Sequence, residues 1–230
     1  NGLERWPQEI ARLERLGIQN LDEIEQTIAR YAIDCSFERT GELNVATEEW
    51  QFAKMTRNVE IARELGIRLD VLDAEQAQAE IHSPTYVGAV WNRDGCAMVD
   101  PARLAWGLRR ACLSQGVRIH ERTPVREIHD RGATLELVTP YGRVRAPRVA
   151  LGTGVFPPLL RRLRHFLIPV YDYALVTEPL TAEQLASIGW RSRAGVGEVA
   201  NRFHYYRLTD DNCILWGGYD AVYYNGGRLR

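Results

Sequence analysis

Tyr205 and Tyr206 stand side by side in the stretch RFHYYRLTDDNCILWGGYD. Adjacent residues of an extended chain point to opposite sides of a sheet, so one phenol can face a ligand while the other packs in a core. His204 is a candidate base, although a lone strand histidine more often serves structure. Asp210 and Asp211 have the types of a paired-carboxylate site, yet in a Thr209-Asp210-Asp211-Asn212 hairpin turn they ordinarily serve backbone hydrogen bonds. Tyr171 and Tyr173 share a strand face in LIPVYDYALVTEPL and either line a cavity or pack on the next strand. Trp91 closes the strand-like TYVGAVWN before the turn RDG, where it either caps a site entrance or packs at a strand end. Arg39 and Glu42 flank Gly41, and an exposed turn pair is their ordinary reading.

A second candidate is Gly152-Thr153-Gly154, which follows the apolar run Val149, Ala150 and Leu151. Residues without a Cβ at the carboxyl end of a strand let a ligand approach the backbone. The third glycine of a dinucleotide fingerprint is missing, however, and Pro157-Pro158 sits where its helix should begin. Pattern alone favours a tight corner. The sequence contains no G-x-G-x-x-G, no G-x-S-x-G elbow and no G-x-x-x-x-G-K-[ST] loop, which disfavours a nicotinamide-dependent dehydrogenase half, an α/β-hydrolase and a P-loop enzyme.

Composition narrows the classes further. The 230 residues carry a net charge of -1, with 26% charged and 45% hydrophobic residues. Such a balance argues against binding along a phosphate backbone, so no nucleic-acid partner is expected. No apolar run has the length of a membrane span, and no secretory signal is evident at the start. Cys35, Cys96, Cys112 and Cys213 form no C-x-x-C pair, and the five histidines form no H-x-x-x-H, so no metal site is indicated. A reduced, cytoplasmic chain is the simplest expectation.

The elements that would position these residues read as follows. Residues 3–32 suggest two helices parted at Gly17, with Asn20 starting the second. Residues 35–46 suggest a hairpin turning at Gly41. Thr47 opens a helix that runs to Gly66, and Asp73 caps a short one. Asp100-Pro101 is a clear helix start, an acidic N-cap followed by proline. A short strand at residues 117–120 follows, then a three-stranded meander at residues 125–128, 134–138 and 143–146. Residues 149–151 read as a strand covered on both faces. A short helix at residues 155–165, a Thr181-capped helix and a final hairpin complete the chain.

Taken in order, VDPARLAWGLRRACLSQGVRIHERTPVREI, GRVRAPRVALGTGVFPPLL and LIPVYDYALVTEPL resemble the FAD-dependent amine and amino-acid oxidases of the D-amino-acid oxidase-like family. ERTGELNVAT and HYYRLTDDNCILWGGYDAVYYNGG are most similar to its γ-glutamylputrescine oxidase branch. The resemblance implies a mixed α/β chain: part of an FAD-binding Rossmann-like domain plus a mixed, largely antiparallel substrate-domain sheet with flanking helices. Residues 1–97 would form a helical region and the first part of the substrate domain, residues 98–157 part of the FAD domain, and residues 158–230 the remaining antiparallel sheet. Val125, Gly152, Thr153 and Gly154 would line the cofactor, with Arg39 and Gly41 near the flavin. Tyr205, Tyr206, Tyr173 and Trp91 would be the substrate-side residues. The implied reaction oxidises a C–N bond by hydride transfer to FAD, followed by imine hydrolysis and reaction with O2 to give H2O2. The family opens with a G-x-G-x-x-G that this sequence lacks, so the chain reads as an internal fragment expected to bind FAD weakly and to be inactive alone. A folded module without catalytic activity is the alternative.

Overall fold

The structure is a computed structural model that describes residues 5–64, 66–154, 159–163, 165–166, 170 and 172–218. Two compact units make up the chain, one comprising Asn1–Ala111 and Asp172–Arg230, the other Cys112–Tyr171.

The first unit is built on a seven-stranded mixed sheet. Its strands are β1 (Glu42–Ala46), β2 (Asp70–Asp73), β3 (Gly88–Asn92), β7 (Tyr173–Val176), β8 (Gly195–Glu198), β9 (His204–Leu208) and β10 (Ile214–Gly218), in the spatial order β2-β3-β1-β8-β9-β10-β7. Only the β1–β8 pair is parallel; the other neighbours are antiparallel. Alternation in β1 sets the two faces. Leu43 and Val45, both fully buried, join Trp91, Trp190, Val196, Tyr206 and Leu208 on one face. The helices α3 (Ala74–Glu80) and α5 (Ala182–Ile188) contribute Ala77 and Leu185 to that cluster. On the opposite face α2 (Glu49–Glu64) lays Met55 and Val59 against Ala46 and Val90.

Local chemistry explains these helices. Asp73 and Thr181 each close a capping box with a glutamine three residues on. Asp100 Oδ1 accepts from the backbone N–H groups of Ala102 and Arg103, at 2.9 and 3.0 Å, at the start of α4 (Pro101–Ser114). The buried Gln51 caps α2 from within, its Oε1 accepting from the N–H groups of Thr47 and Glu48.

Several expectations are corrected. Residues 3–32 do not divide at Gly17: α1 runs unbroken over Pro7–Arg30. A glycine ends a helix by turning left-handed, as Gly66 and Gly189 do at φ +77° and +69°, and Gly17 is not among the positive-φ glycines. Residues 35–46 form no hairpin. Gly41 turns the chain at φ +78°, but Glu38 makes only an isolated bridge to Met98. A Cβ on Gly41 would lie 2.4 Å from the Asn92 carbonyl oxygen, so the glycine serves a close crossing beside β3. Residues 117–120 and 149–151 carry no strand. No strand among the described residues pairs with them, and Val117, Ile119 and Leu151 remain 49%, 38% and 38% exposed. Strands β2 and β8 were not foreseen. Of the expected helix at residues 155–165, residues 155–158 and 164 lie outside the described residues, and within the rest Arg161–Leu163 is a 3-10 turn.

The second unit contains the meander, with β4 (Glu127–Asp130), β5 (Leu135–Thr139) and β6 (Gly142–Ala146) pairing antiparallel in sequence order. At its centre the Glu136 carboxylate, 1% exposed, accepts from Arg131 Nη2 at 2.9 Å, Arg145 Nε at 3.0 Å and Arg143 Nη1 at 3.4 Å. Arg131 foremost, then Arg145, holds its pKa down from 4.5 to about 2. Because the folded value is depressed, the stabilisation is present above the ordinary value and is lost as pH falls through the folded one. The stability gap between wild type and Glu136→Gln, measured by chemical denaturation, should therefore be widest above pH 4.5 and close toward about pH 2. A gap independent of pH would contradict this account.

Candidate functional site

One row of the large sheet decides where a site can form. Asn44, Gly197, Tyr205, Gly217 and Ala174 are successive register partners across β1, β8, β9, β10 and β7. Side chains in register share a face, and here two of the five positions have none. The result is a groove of about 600 Å³ on the face opposite the Leu43–Tyr206 core, lined among others by Glu42, Asn44, Gly197, Tyr205, Asp172 and Arg207.

The two glycines do different work. A Cβ on Gly217 would lie 2.2 Å from Cζ of the Tyr205 ring, so the phenol lies flat over β10. Its hydroxyl donates to the carboxylate of Asp172, just before β7. Among the described residues, a Cβ on Gly197 would meet only Asn44 Oδ1 at 3.4 Å and Glu42 Oε1 at 3.8 Å, which leaves open floor. Gly195, on the same face, is roofed by Met98, whose Cε lies 2.6 Å from the Cβ position. Arg207 crosses the groove end with Nε bonded to the Leu208 carbonyl and Nη1 to the Val99 carbonyl, at 3.2 and 2.9 Å. Burial lowers its pKa, opposed by the nearby carboxylate of Glu38.

Tyr206 takes the other face. It is buried, stacks on Trp216 with centroids 4.4 Å apart and planes 4° apart, and meets Trp190 edge-on at 5.8 Å. Its hydroxyl and that of Tyr86 are 2.5 Å apart. Burial first, and then the bond between them, drives the Tyr206 pKa far upward, and burial also raises that of Tyr86. Neither phenol ionises in the physiological range. His204, also on this face, pairs with Glu198 at 2.8 Å.

The other candidates fall as follows. Tyr173 is half exposed and in register with Gly218, on the Tyr206 face rather than beside Tyr205. Tyr171 lies outside the described residues. Trp91 is 4% exposed within the core, Nε1 donates to the Thr40 carbonyl, and the Arg93 guanidinium lies 3.6 Å from its ring centroid. Arg39 bonds Asp22 and Glu25 of α1 at 2.7 and 2.9 Å. Asp210 accepts from Ser36 at 2.6 Å and Arg103 at 2.8 Å, while Asp211 accepts from Thr209 at 2.5 Å; these bonds hold both carboxyls below their ordinary pKa. The pair thus secures its turn and does not line the groove. In the second unit Val125 is half-buried, and Gly152, Thr153 and Gly154 are exposed, with Gly154 at φ +59°. The groove residues overlooked in the sequence are Asp172, Asn44, Gly197 and Gly217. Their signal was the glycines of GVGE and WGG, since a glycine inside a strand marks a close approach or an open floor.

Among the described residues no group of three His, Cys, Asp or Glu could hold a metal, and no helix is long and apolar enough to cross a membrane. Phosphates have no fingerprint cradle, because the sequence has no G-x-G-x-x-G, and its second Gly-x-Gly, at Gly195 and Gly197, lies within strand β8 rather than in a turn.

The sheet carries helices on both faces, and one of those faces also holds the glycine-floored groove. The chain belongs to the FAD dependent oxidoreductase family, whose model matches residues 2–229. It is 32% identical over 203 residues to the gamma-glutamylputrescine oxidoreductase of Escherichia coli strain K12, an alignment covering 85% of this chain and 46% of that protein. It is 25% identical over 218 residues to the probable oxidoreductase OrdL of Haemophilus influenzae, covering 90% of this chain and 49% of that one. The chain thus spans about half the length of the curated relatives it matches. Its fold matches the crystal structure of glycine oxidase from Geobacillus kaustophilus with a TM-score of 0.69 at 19% identity, covering 92% of this chain and 58% of that one.

The packing of Tyr205 on Gly217 is directly testable. Gly217→Ala should destabilise the protein by about 1–3 kcal/mol, as overpacking does. Gly152→Ala, with nothing among the described residues within 4 Å of the added methyl, should stay within about 0.5 kcal/mol of wild type. Denaturant titration of both variants checks the contrast, and equal effects would refute the packing.

Proposed function

We propose that this chain is the substrate-side part of a flavin-dependent oxidoreductase that oxidises the C–N bond of an amine or amino acid. The observation that carries this reading is the groove over Gly197, walled by Tyr205, Asn44 and Glu42 on one sheet face. When bound, FAD would supply the two-electron acceptor. The residues of this chain would then bind and orient the amine and keep water from its carbon. Arg39, Gly41, Val125, Gly152, Thr153 and Gly154 are the cofactor-side candidates from the family resemblance. Tyr205 is the leading substrate contact. Tyr206, Tyr173 and Trp91 would support the site from behind, through the sheet and its core.

The product of such an oxidation is an imine, which water hydrolyses, and O2 would be the final acceptor with release of H2O2. A γ-glutamyl-polyamine-like amine is the proposed substrate, following the name of the Escherichia coli relative. Hydride leaves only the carbon of an unprotonated amine, so turnover should rise with pH through the substrate amine's own titration. The 230 residues alone are proposed to bind FAD weakly, because their sequence has no pyrophosphate-binding fingerprint.

The test is anaerobic addition of amines to the purified full-length parent, with γ-glutamyl diamines, butane-1,4-diamine, glycine and sarcosine each tried in turn. Bleaching of the flavin absorbance by at least one amine, with H2O2 on readmission of air, is the expected result. A flavin that no amine reduces would overturn the reading.

A further inference from the structure

The groove contains a hydrogen-bond arrangement that selects between ligand chemistries. A phenol has one proton and can donate it once. The Tyr205 hydroxyl donates that proton to Asp172, a carboxylate that can only accept. The ring is also pinned, because Gly217 lets it lie against β10 at a distance no side chain would permit. A ligand over the Gly197 floor therefore meets the phenolic oxygen of Tyr205 as an acceptor.

The rest of the groove has the same sense. Glu42 Oε1 is 3.8 Å and Asn44 Oδ1 3.4 Å from the Cβ position of Gly197, so oxygen atoms border the open floor. Among the described residues, neither Glu42 nor Asp172 takes part in an ion pair. Among the described residues, the cation that lines the groove is Arg207, whose Nε and Nη1 are committed to carbonyls and which faces the carboxylates of Glu38, Asp100 and Asp210.

We infer that Asp172, by taking the Tyr205 proton, makes this groove specific for an N–H-donating amine and turns away ligands that present a carboxylate to Tyr205. Asp172 is then a positioning residue that acts through Tyr205, and Gly217 is the second support that keeps the ring in place. This deepens the proposed function and rests on its reading of the groove as the substrate site. It narrows the substrate class to amines whose oxidised carbon carries no carboxylate.

The test uses two small probes that are not substrates, methylguanidine as an N–H-donating cation and acetate as a carboxylate, titrated calorimetrically into the full-length parent. Wild type should prefer methylguanidine by about tenfold or more, the scale of one hydrogen bond to a charged group. Asp172→Ala releases the phenolic proton and should reduce that preference to within about twofold, partly through tighter acetate binding. Asp172→Asn keeps an acceptor for Tyr205 and should retain most of the preference. Tyr205→Phe keeps the ring on Gly217 but should lose the preference without any gain for acetate. Acetate preferred by wild type, or a preference unchanged in both Asp172→Ala and Tyr205→Phe, overturns the inference. Failure of the functional reading has a separate signature, in which the preference holds while no amine bleaches the flavin.

Discussion

Two missing side chains shape this protein's working surface. Gly197 and Gly217 flank Tyr205 in one register row across β8, β9 and β10, and a Cβ at Gly217 would overlap the phenol ring. A central strand ordinarily loses stability by carrying glycine, having neither side-chain packing nor restricted backbone freedom. Here the loss is offset on the other face, where Tyr206, Trp216, Trp190 and Tyr86 bury large aromatic area in close stacking. The aromatic face supplies the packing around β9 and β10, which leaves the groove side of these strands free to be shaped for a ligand.

The same strand serves both purposes through its alternation. Tyr205 and Tyr206 are chemically identical residues given opposite tasks by a period of two. The core-side phenol is locked against Tyr86 with a raised pKa, whereas the groove-side phenol is tied to an exposed carboxylate. The Asp210 turn at the end of the hairpin is bound through Arg103 to Asp34 and through Ser36 to the segment before β1, which fixes the hairpin at its distal end. These exposed ion pairs each contribute little to stability, and their value lies in geometry.

Much of this was legible in the sequence where the determinants are local. The capping residues Asp73, Thr181 and Asp100, the final hairpin and the β4-β5-β6 meander depend on side chains within a few positions, and all appear as their patterns imply. The opposed placement of Tyr205 and Tyr206 follows from alternation alone. Illegible features depend on distant neighbours. Nothing near Asp172 in sequence announces its bond to Tyr205, and GVGE carries too few β-formers to read as a strand, though β1 and β9 hold it in the centre of the sheet. Residues 149–151 failed in the opposite sense: their apolarity implied a covered strand, and no described strand pairs with them. The family resemblance supplied what local patterns could not, and the match to the FAD dependent oxidoreductase family bears that resemblance out.

The central claim is that the floor over Gly197 is where an amine is held against Tyr205. A crystal structure of the full-length parent with FAD and a bound primary amine tests it most directly. The account predicts the amine nitrogen within hydrogen-bonding distance of the Tyr205 oxygen, above Gly197 and on the Asn44 side. An amine bound on the Tyr206 face, or in a cavity that excludes Tyr205, would contradict it.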